Sequence, residues 1–513
     1  MDSSPVEDHL RPALDTALGL RRLVSIALTL GLISAITYLV PSFERVRPWV
    51  QGEGVPVVRL FLADHQPAAL PDFQGSTAAA VANPSPPEAA VPGIDVEFDL
   101  EDTAPPEPSG KGSQPSAVIA PKSQGSRIAS KEYSGASVPI ENAAAIGSFF
   151  EALGRSARGE PGAITRVAHY GDSSVAADEI THTARRKLQL RFGDAGHGFM
   201  LTAKSNMFYG HRDVMHRESS GWELASIVRK QLRSGYYGYG GIVANGRAGE
   251  YATFGSSETG QIGRAVSRFE VFYQRFTNGG ELQLQVDGKD ERTISTHVPG
   301  ASEDAWEVIK VPDGPHQITL RARGDVRVYG VSQERDAPGV VYDALGLVGA
   351  RAERLLGADP QHIAKQIAHR NPSLLVLGFG GNESGNDQLD MRKYAATLTQ
   401  VIKLMRAGKP EMACLLFGPL DQGERNARGD IVTLHSLPGI VDVQRQVSKE
   451  QGCAFFDTYK AMGGEGSVGR WYHARPRLFS PDYRHATPAG YSIIGNLYYQ
   501  ALLKAFADYQ AKH

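Results

Sequence analysis

The chain has almost no cysteine: Cys414 and Cys453 are the two in 513 residues. So few thiols exclude a disulfide-stapled scaffold and a Cys-x-x-Cys zinc ligand set. Both open apolar runs, Cys414 to Phe417 and Cys453 to Phe456, that read as core strands. Two buried thiols is the first reading; a disulfide stays open for an exported protein. Basic runs are also missing, and the formal net charge is -2. Nucleic-acid binding therefore has no electrostatic footprint. Long apolar runs are missing with one exception, Leu23 to Val40, which carries no charge.

That exception spans about 27 Å as a helix, enough for a bilayer core. Arg21 and Arg22 precede it directly, with Arg45 and Arg47 beyond it. The expectation is residues 1–22 as a cytoplasmic tail, 23–40 as a transmembrane helix in a bacterial inner membrane, and the rest periplasmic. A cleaved signal peptide is the rival, although Val40-Pro41-Ser42-Phe43 supplies no small-x-small site. Residues 41–137 read as a linker. From about residue 64 they are rich in Pro, Ala, Ser and Gly, as in Pro105-Pro106-Glu107-Pro108-Ser109-Gly110. Such sequence cannot bury enough apolar surface to fold alone and reads as a disordered tether.

From about residue 138 the pattern becomes globular. Ile164 to Tyr170, Leu374 to Leu377, Cys414 to Phe417 and Cys453 to Phe456 are short apolar runs, the signature of fully buried parallel strands. Helical periodicity fills the spaces between them: Ile140–Leu153, Val175–Phe192, His362–His369, Met391–Arg406, Val441–Gln451 and Ala489–Lys512. This alternation predicts a three-layer α/β/α fold with a parallel sheet. Residues 203–337 break the rhythm. Arg268–Phe276, Glu281–Asp287, Trp306–Val311, Gln317–Ala322 and Val326–Ser332 read as strands, separated by turns such as Asp287-Gly288. An inserted β-sandwich is expected there, dividing the α/β unit into residues 138–202 and 338–513.

The chemistry is carried by four short blocks. Gly171-Asp172-Ser173-Ser174 lies between a strand and a helix, which presents a serine at the carboxyl edge of a sheet. Asp482-Tyr483-Arg484-His485 places a carboxylate three residues from an imidazole. Gly346-Leu347-Val348-Gly349 and Gly380-Gly381-Asn382-Glu383 each end an apolar run. Nucleophile, base, orienting carboxylate and two oxyanion donors are thus available. Either Ser173 or Ser174 can be argued as the nucleophile from the turn alone, and Gly346 competes with Gly349.

In this order the blocks resemble those of the SGNH (GDS-type) hydrolase superfamily. The resemblance selects Ser173 as nucleophile, with Asp482 and His485 completing the triad. It implies an oxyanion hole of Ser173, Gly349 and Asn382, a flavodoxin-like sheet, and no cofactor or metal. Glu383 stands where relatives more often carry Asp, and Ser174 where they often carry His. The inserted β-domain, with His169-Tyr170-Gly171-Asp172-Ser173 and Arg191-Phe192-Gly193-Asp194-Ala195-Gly196-His197-Gly198-Phe199, is similar to bacterial peptidoglycan O-acetylesterases. This implies an acetylated envelope glycan as substrate. An O-acetyltransferase using the same residues and a non-catalytic glycan-binding protein are the rival functions.

Other groups carry less. His211 and His216, five apart, do not define a metal site. Tyr236, Tyr237 and Tyr239 in Gly235–Gly241 could stack a sugar or form a turn. Trp471-Tyr472-His473 is a candidate wall of the cleft, and Asp421 a candidate substrate contact without an assigned role.

Overall fold

The computed structural model describes residues 138–229 and 232–513. The expected tail, membrane helix and linker lie outside these residues. No described helix is long and apolar enough to cross a membrane.

Five parallel strands form the central sheet: β1 Ile164–Gly171, β2 Gly339–Gly346, β3 Leu374–Gly378, β4 Ala413–Phe417 and β5 Ala454–Phe456. Their order is β2-β1-β3-β4-β5. The order reverses beside β1, and open α/β sheets place ligands at such a switch point. Register decides which turns meet there. Gly171 pairs with both Gly346 and Gly378, so three strands end level with one another. The first three sequence blocks therefore emerge at a single edge.

Alternate residues of these strands feed two separate cores, which is why the strands read as unbroken apolar runs. Val167, Val376, Leu415 and Phe456 pack against helices Gly147–Ala157, Glu179–Phe192 and Pro488–Gln510. Ala168, Leu375, Leu416 and Phe455 face helices Pro360–Arg370, Met391–Arg406 and Leu437–Glu450. Cys414 on β4 and Cys453, the residue just before β5, each stand one residue before the Leu415–Ala454 pair and form a disulfide. The reading of two free thiols is corrected by that register.

The helix expected over Val175–Phe192 is interrupted. A single turn, Ser173–Ala176, ends before Asp178, which takes a left-handed conformation at φ 57°. The buried Asp178 carboxylate accepts two hydrogen bonds from Arg185, at 2.9 and 2.8 Å, and one from the Arg212 amide. These bonds outweigh continuation of the helix.

Two antiparallel sheets, one of six strands and one of five, form between β1 and β2 and share an apolar core that includes Phe254, Leu284, Phe269 and Val331. The short strand Gly198–Leu201, expected within the first α/β segment, pairs instead with Val326–Glu334. Sequence periodicity missed Val214–Glu218, Glu223–Ser226, Ile242–Gly246 and Tyr251–Ser256, which are too short for a clear alternation. Strand Lys289–Ser295 was missed because six of its seven residues are exposed.

Buried charges join these sheets to the central one. The Arg370 guanidinium bonds Asp343 through two contacts of 2.8 Å and also meets Glu334. Arg166 forks onto the same Glu334 at 2.8 and 2.7 Å. Burial opposes ionisation of Glu334, yet the two arginines hold its carboxyl well below the usual range. The Gly235–Gly241 tyrosines belong to this joint. Tyr237 and Tyr239 are buried, Tyr239 donates to Asp343 at 3.0 Å, and Tyr236 stacks on His362.

Candidate active site

Gly171 leaves β1 where a side chain has no room. A Cβ there would lie 2.4 Å from Val175 and 2.8 Å from the Gly378 carbonyl. The tight exit turns the chain directly into the Ser173 helical turn. Asp172 caps that turn, accepting from the Ser174 amide at 2.9 Å and from the Ser174 hydroxyl at 2.8 Å. Ser174 is thereby committed to Asp172. Ser173 Oγ instead meets His485 Nε2 at 2.9 Å.

His485 follows a turn in which Tyr483 is left-handed, at φ 53°. His485 Nδ1 meets Asp482 Oδ2 at 2.7 Å. Asp482 Oδ1 accepts from the amides of Arg484 and His485, at 2.9 and 3.1 Å. Burial alone would raise the Asp482 pKa. Hydrogen bonds from the His485 ring and the two amides win and hold it below the usual carboxylate value. An ionised Asp482 fixes the Nδ1–H tautomer, leaving Nε2 free to accept the Ser173 proton.

A cavity of about 220 Å³ opens over these groups, lined by Ser173, Asn382, Phe379, Gln422, Arg484 and His485 among others. The Asn382 side-chain amide donates to the Ala350 carbonyl at 2.9 Å and faces Asp172 Oδ2 at 3.5 Å. Gly349 sits in the exposed turn beside Ala350, with open space around it and φ 77°. It is not among the residues lining the cavity. Gly346 is buried at the end of β2, where a Cβ would lie 2.2 Å from Ala176 backbone. The two glycines thus differ: one packs the sheet against the Ser173 turn, the other lies in the exposed turn next to Ala350, whose carbonyl holds Asn382.

Two neighbours carry no spacing signal, and a third, Glu383, stands out in the sequence only as a departure from the family pattern. Gln422 bridges blocks distant in sequence, donating to the Arg484 carbonyl at 3.3 Å and accepting from Ser384 at 3.1 Å. Tyr491 lines the cavity from the last helix. Glu383 is buried and accepts from the amides of Ala352 at 2.8 Å and Gly380 at 3.1 Å. It ties the Asn382 turn to the segment after Gly349. Burial, with Asp172 nearby, raises its pKa to about 7 against the pull of those amides.

The remaining candidates fall outside the site. Asp421 is buried and accepts from Val468, Ser467 and Thr433, which makes it an anchor for the following loop. Trp471 is buried with its indole N–H on the Met462 carbonyl, Tyr472 packs on Tyr483, and none of the Trp471–His473 trio lines the cavity. His211 joins His197 and Tyr209, and His216 stacks on Phe254.

Residues 319–493 match the model of the GDSL-like lipase/acylhydrolase family. The match holds Gly349, Asn382, Asp482 and His485; Ser173 lies before it, and most of the two antiparallel sheets falls between Ser173 and its start. Among solved structures, the chain is similar to a peptidoglycan O-acetylesterase, with 21% identity and a TM-score of 0.59. That likeness covers 70% of this chain and 96% of the other. A family two carbohydrate esterase from Clostridium thermocellum aligns at 12% identity and TM-score 0.23, over 52% of this chain and 94% of its own. A GDSL-like lipase from Bacteroides thetaiotaomicron aligns at 19% and 0.24, over 32% and 76%. No curated protein sequence matches.

Proposed function

We propose that this SGNH-type serine esterase removes O-acetyl groups from an envelope glycan, with peptidoglycan as the substrate. The observation that carries the chemistry is the line Ser173 Oγ, His485, Asp482, with contacts of 2.9 and 2.7 Å, opening on a cavity. His485 Nε2 takes the hydroxyl proton as Ser173 attacks the ester carbonyl. Asp482 holds the tautomer and stabilises the imidazolium. Negative charge then collects on the former carbonyl oxygen, where the Ser173 and Gly349 amides and the Asn382 side chain donate. One Asn382 N–H stays on Ala350. The other, only 3.5 Å from Asp172, can turn to the oxyanion. His485 returns its proton to the departing sugar hydroxyl, and water releases acetate from Ser173 by the same route. The groups present complete the cycle without a cofactor.

The choice of glycan draws on the likeness to the peptidoglycan O-acetylesterase, which covers 70% of this chain and 96% of the other. Export draws on the apolar, uncharged Leu23–Val40 and on the Cys414–Cys453 disulfide, a bond that persists in oxidising compartments. The inner-membrane anchor with a periplasmic catalytic unit is part of the same reading. A reporter active only outside the cytoplasm, fused after His513, should be active and membrane-bound. An inactive fusion would remove envelope glycans as substrates. Acetate release from O-acetylated peptidoglycan, set against an O-acetylated exopolysaccharide and an aryl acetate, tests the substrate. Release from the aryl acetate alone would sink the glycan assignment.

A further inference from the structure

Three arginines surround the His485 turn without a carboxylate partner. Arg484 lines the cavity itself. Arg477 lies on the segment beside the turn, where the Thr487 hydroxyl donates to its carbonyl at 3.0 Å and the Thr487 amide to Leu478 at 2.9 Å. Arg425 is two residues beyond Gly423, whose amide donates to the Tyr483 carbonyl at 2.9 Å. Among the described residues none of the three forms an ion pair, and the side chains of Arg477 and Arg484 make no hydrogen bond. Some exposed arginines elsewhere do pair, as in Arg158–Glu160 and Arg247–Glu223. Asp482, two residues before Arg484, is engaged by His485, and exposed Glu424 pairs with none of them.

Aromatic rings hold two of these guanidinium groups in place. Arg477 lies over Tyr472 at 4.4 Å and Arg425 over Tyr483 at 5.4 Å. The two rings meet edge to face at 5.0 Å. Arg425 also donates through Nη1 to the Gly429 carbonyl at 2.7 Å, so its fork is partly engaged, whereas the Arg477 guanidinium over its ring keeps its N–H edge available for a planar anion, at a reduced entropic cost. Unpaired cations beside a site attract negative substrates, and a guanidinium fork matches a carboxylate.

We propose that Arg425, Arg477 and Arg484 form a lip that binds carboxylates carried by the acetylated glycan, so that the enzyme prefers anionic over neutral chains. This rests on the proposed esterase reading. It deepens that reading by assigning substrate selection to the His485 side of the cavity. In peptidoglycan, the stem-peptide carboxylates would meet the lip.

The test compares soluble O-acetylated peptidoglycan fragments with the same fragments after amidation of their carboxylates. The full chain and the variants Arg477→Gln, Arg484→Gln and their double are used. In the unaltered protein, amidation should raise KM about tenfold with little change in kcat, and added salt should erode the preference. The double variant should hydrolyse both fragments with nearly equal kcat/KM. Arg484→Lys, which keeps the charge but not the fork, should retain the salt dependence and lose part of the preference. Equal kcat/KM for native and amidated fragments in the unaltered protein would overturn the lip, as would a preference that survives in the double variant.

Binding by Ser173→Ala protein separates this outcome from the catalytic reading. Carboxylate-dependent binding without acetate release would uphold the lip and remove peptidoglycan as the ester substrate. Acetate release that ignores the carboxylates would do the reverse. Stronger competition by a phosphorylated glycan than by a carboxylated one would overturn the carboxylate assignment.

Discussion

Replacing Glu383 with glutamine should remove a pH-dependent loss of stability, and its size follows from the site. Glu383 is 3% exposed, beneath the Asn382 turn, with Asp172 close by. Its pKa rises from the ordinary 4.5 to about 7. A raised carboxyl pKa means that the folded protein binds the proton more tightly than the unfolded chain. The associated stability is therefore fully present below about pH 4.5 and lost as pH rises through about 7. At about 1.4 kcal/mol per unit, a rise from 4.5 to about 7 makes the loss about 3 to 4 kcal/mol. Glutamine cannot ionise and should escape it. Urea unfolding of both proteins between about pH 4 and pH 8 measures the difference directly, because all other titrating groups are shared. The glutamine variant should gain about 3 to 4 kcal/mol relative to Glu383 across that range. Parallel stability curves would refute the reasoning, meaning that Glu383 ionises inside the fold without cost and that its two amide donors balance burial.

Three further outcomes follow from the geometry. Ser173→Ala should lower hydrolysis of a small acetyl ester by at least about 10³-fold, whereas Ser174→Ala, which loses only the contact to Asp172, should cost far less; a serine-directed phosphonate mapping to Ser174 would reverse the assignment. Asp482→Asn should reduce kcat less than His485→Ala and add almost nothing to Ser173→Ala, while full additivity would show that the three do not act as one unit. Cys414→Ser opens a loop with a sequence separation of 39 residues and should cost up to about 4 kcal/mol by loop entropy; an unchanged melting temperature would count against a formed disulfide in the isolated protein.

What the sequence determined by itself is local. Met391–Arg406 has the same limits in periodicity and in structure. Core strands were legible because burial on both faces leaves no polar residue in Leu374–Leu377 or Ala413–Phe417. Asp482 and His485 were readable as a pair because three residues separate them. The parallel α/β class follows from the same alternation. Tertiary structure decided the rest, because the deciding contacts join residues far apart in the chain. Register between β1, β2 and β3 brings the first three blocks to one edge. A contact across 312 positions singles out Ser173, since only in three dimensions is Ser174 drawn to Asp172 and Ser173 to His485. The disulfide depends on two strands lying adjacent, and Glu383 on a burial that no spacing reveals. Arg425, Arg477 and Arg484 are scattered in sequence; a cationic lip exists only because the chain folds three separate segments around one histidine.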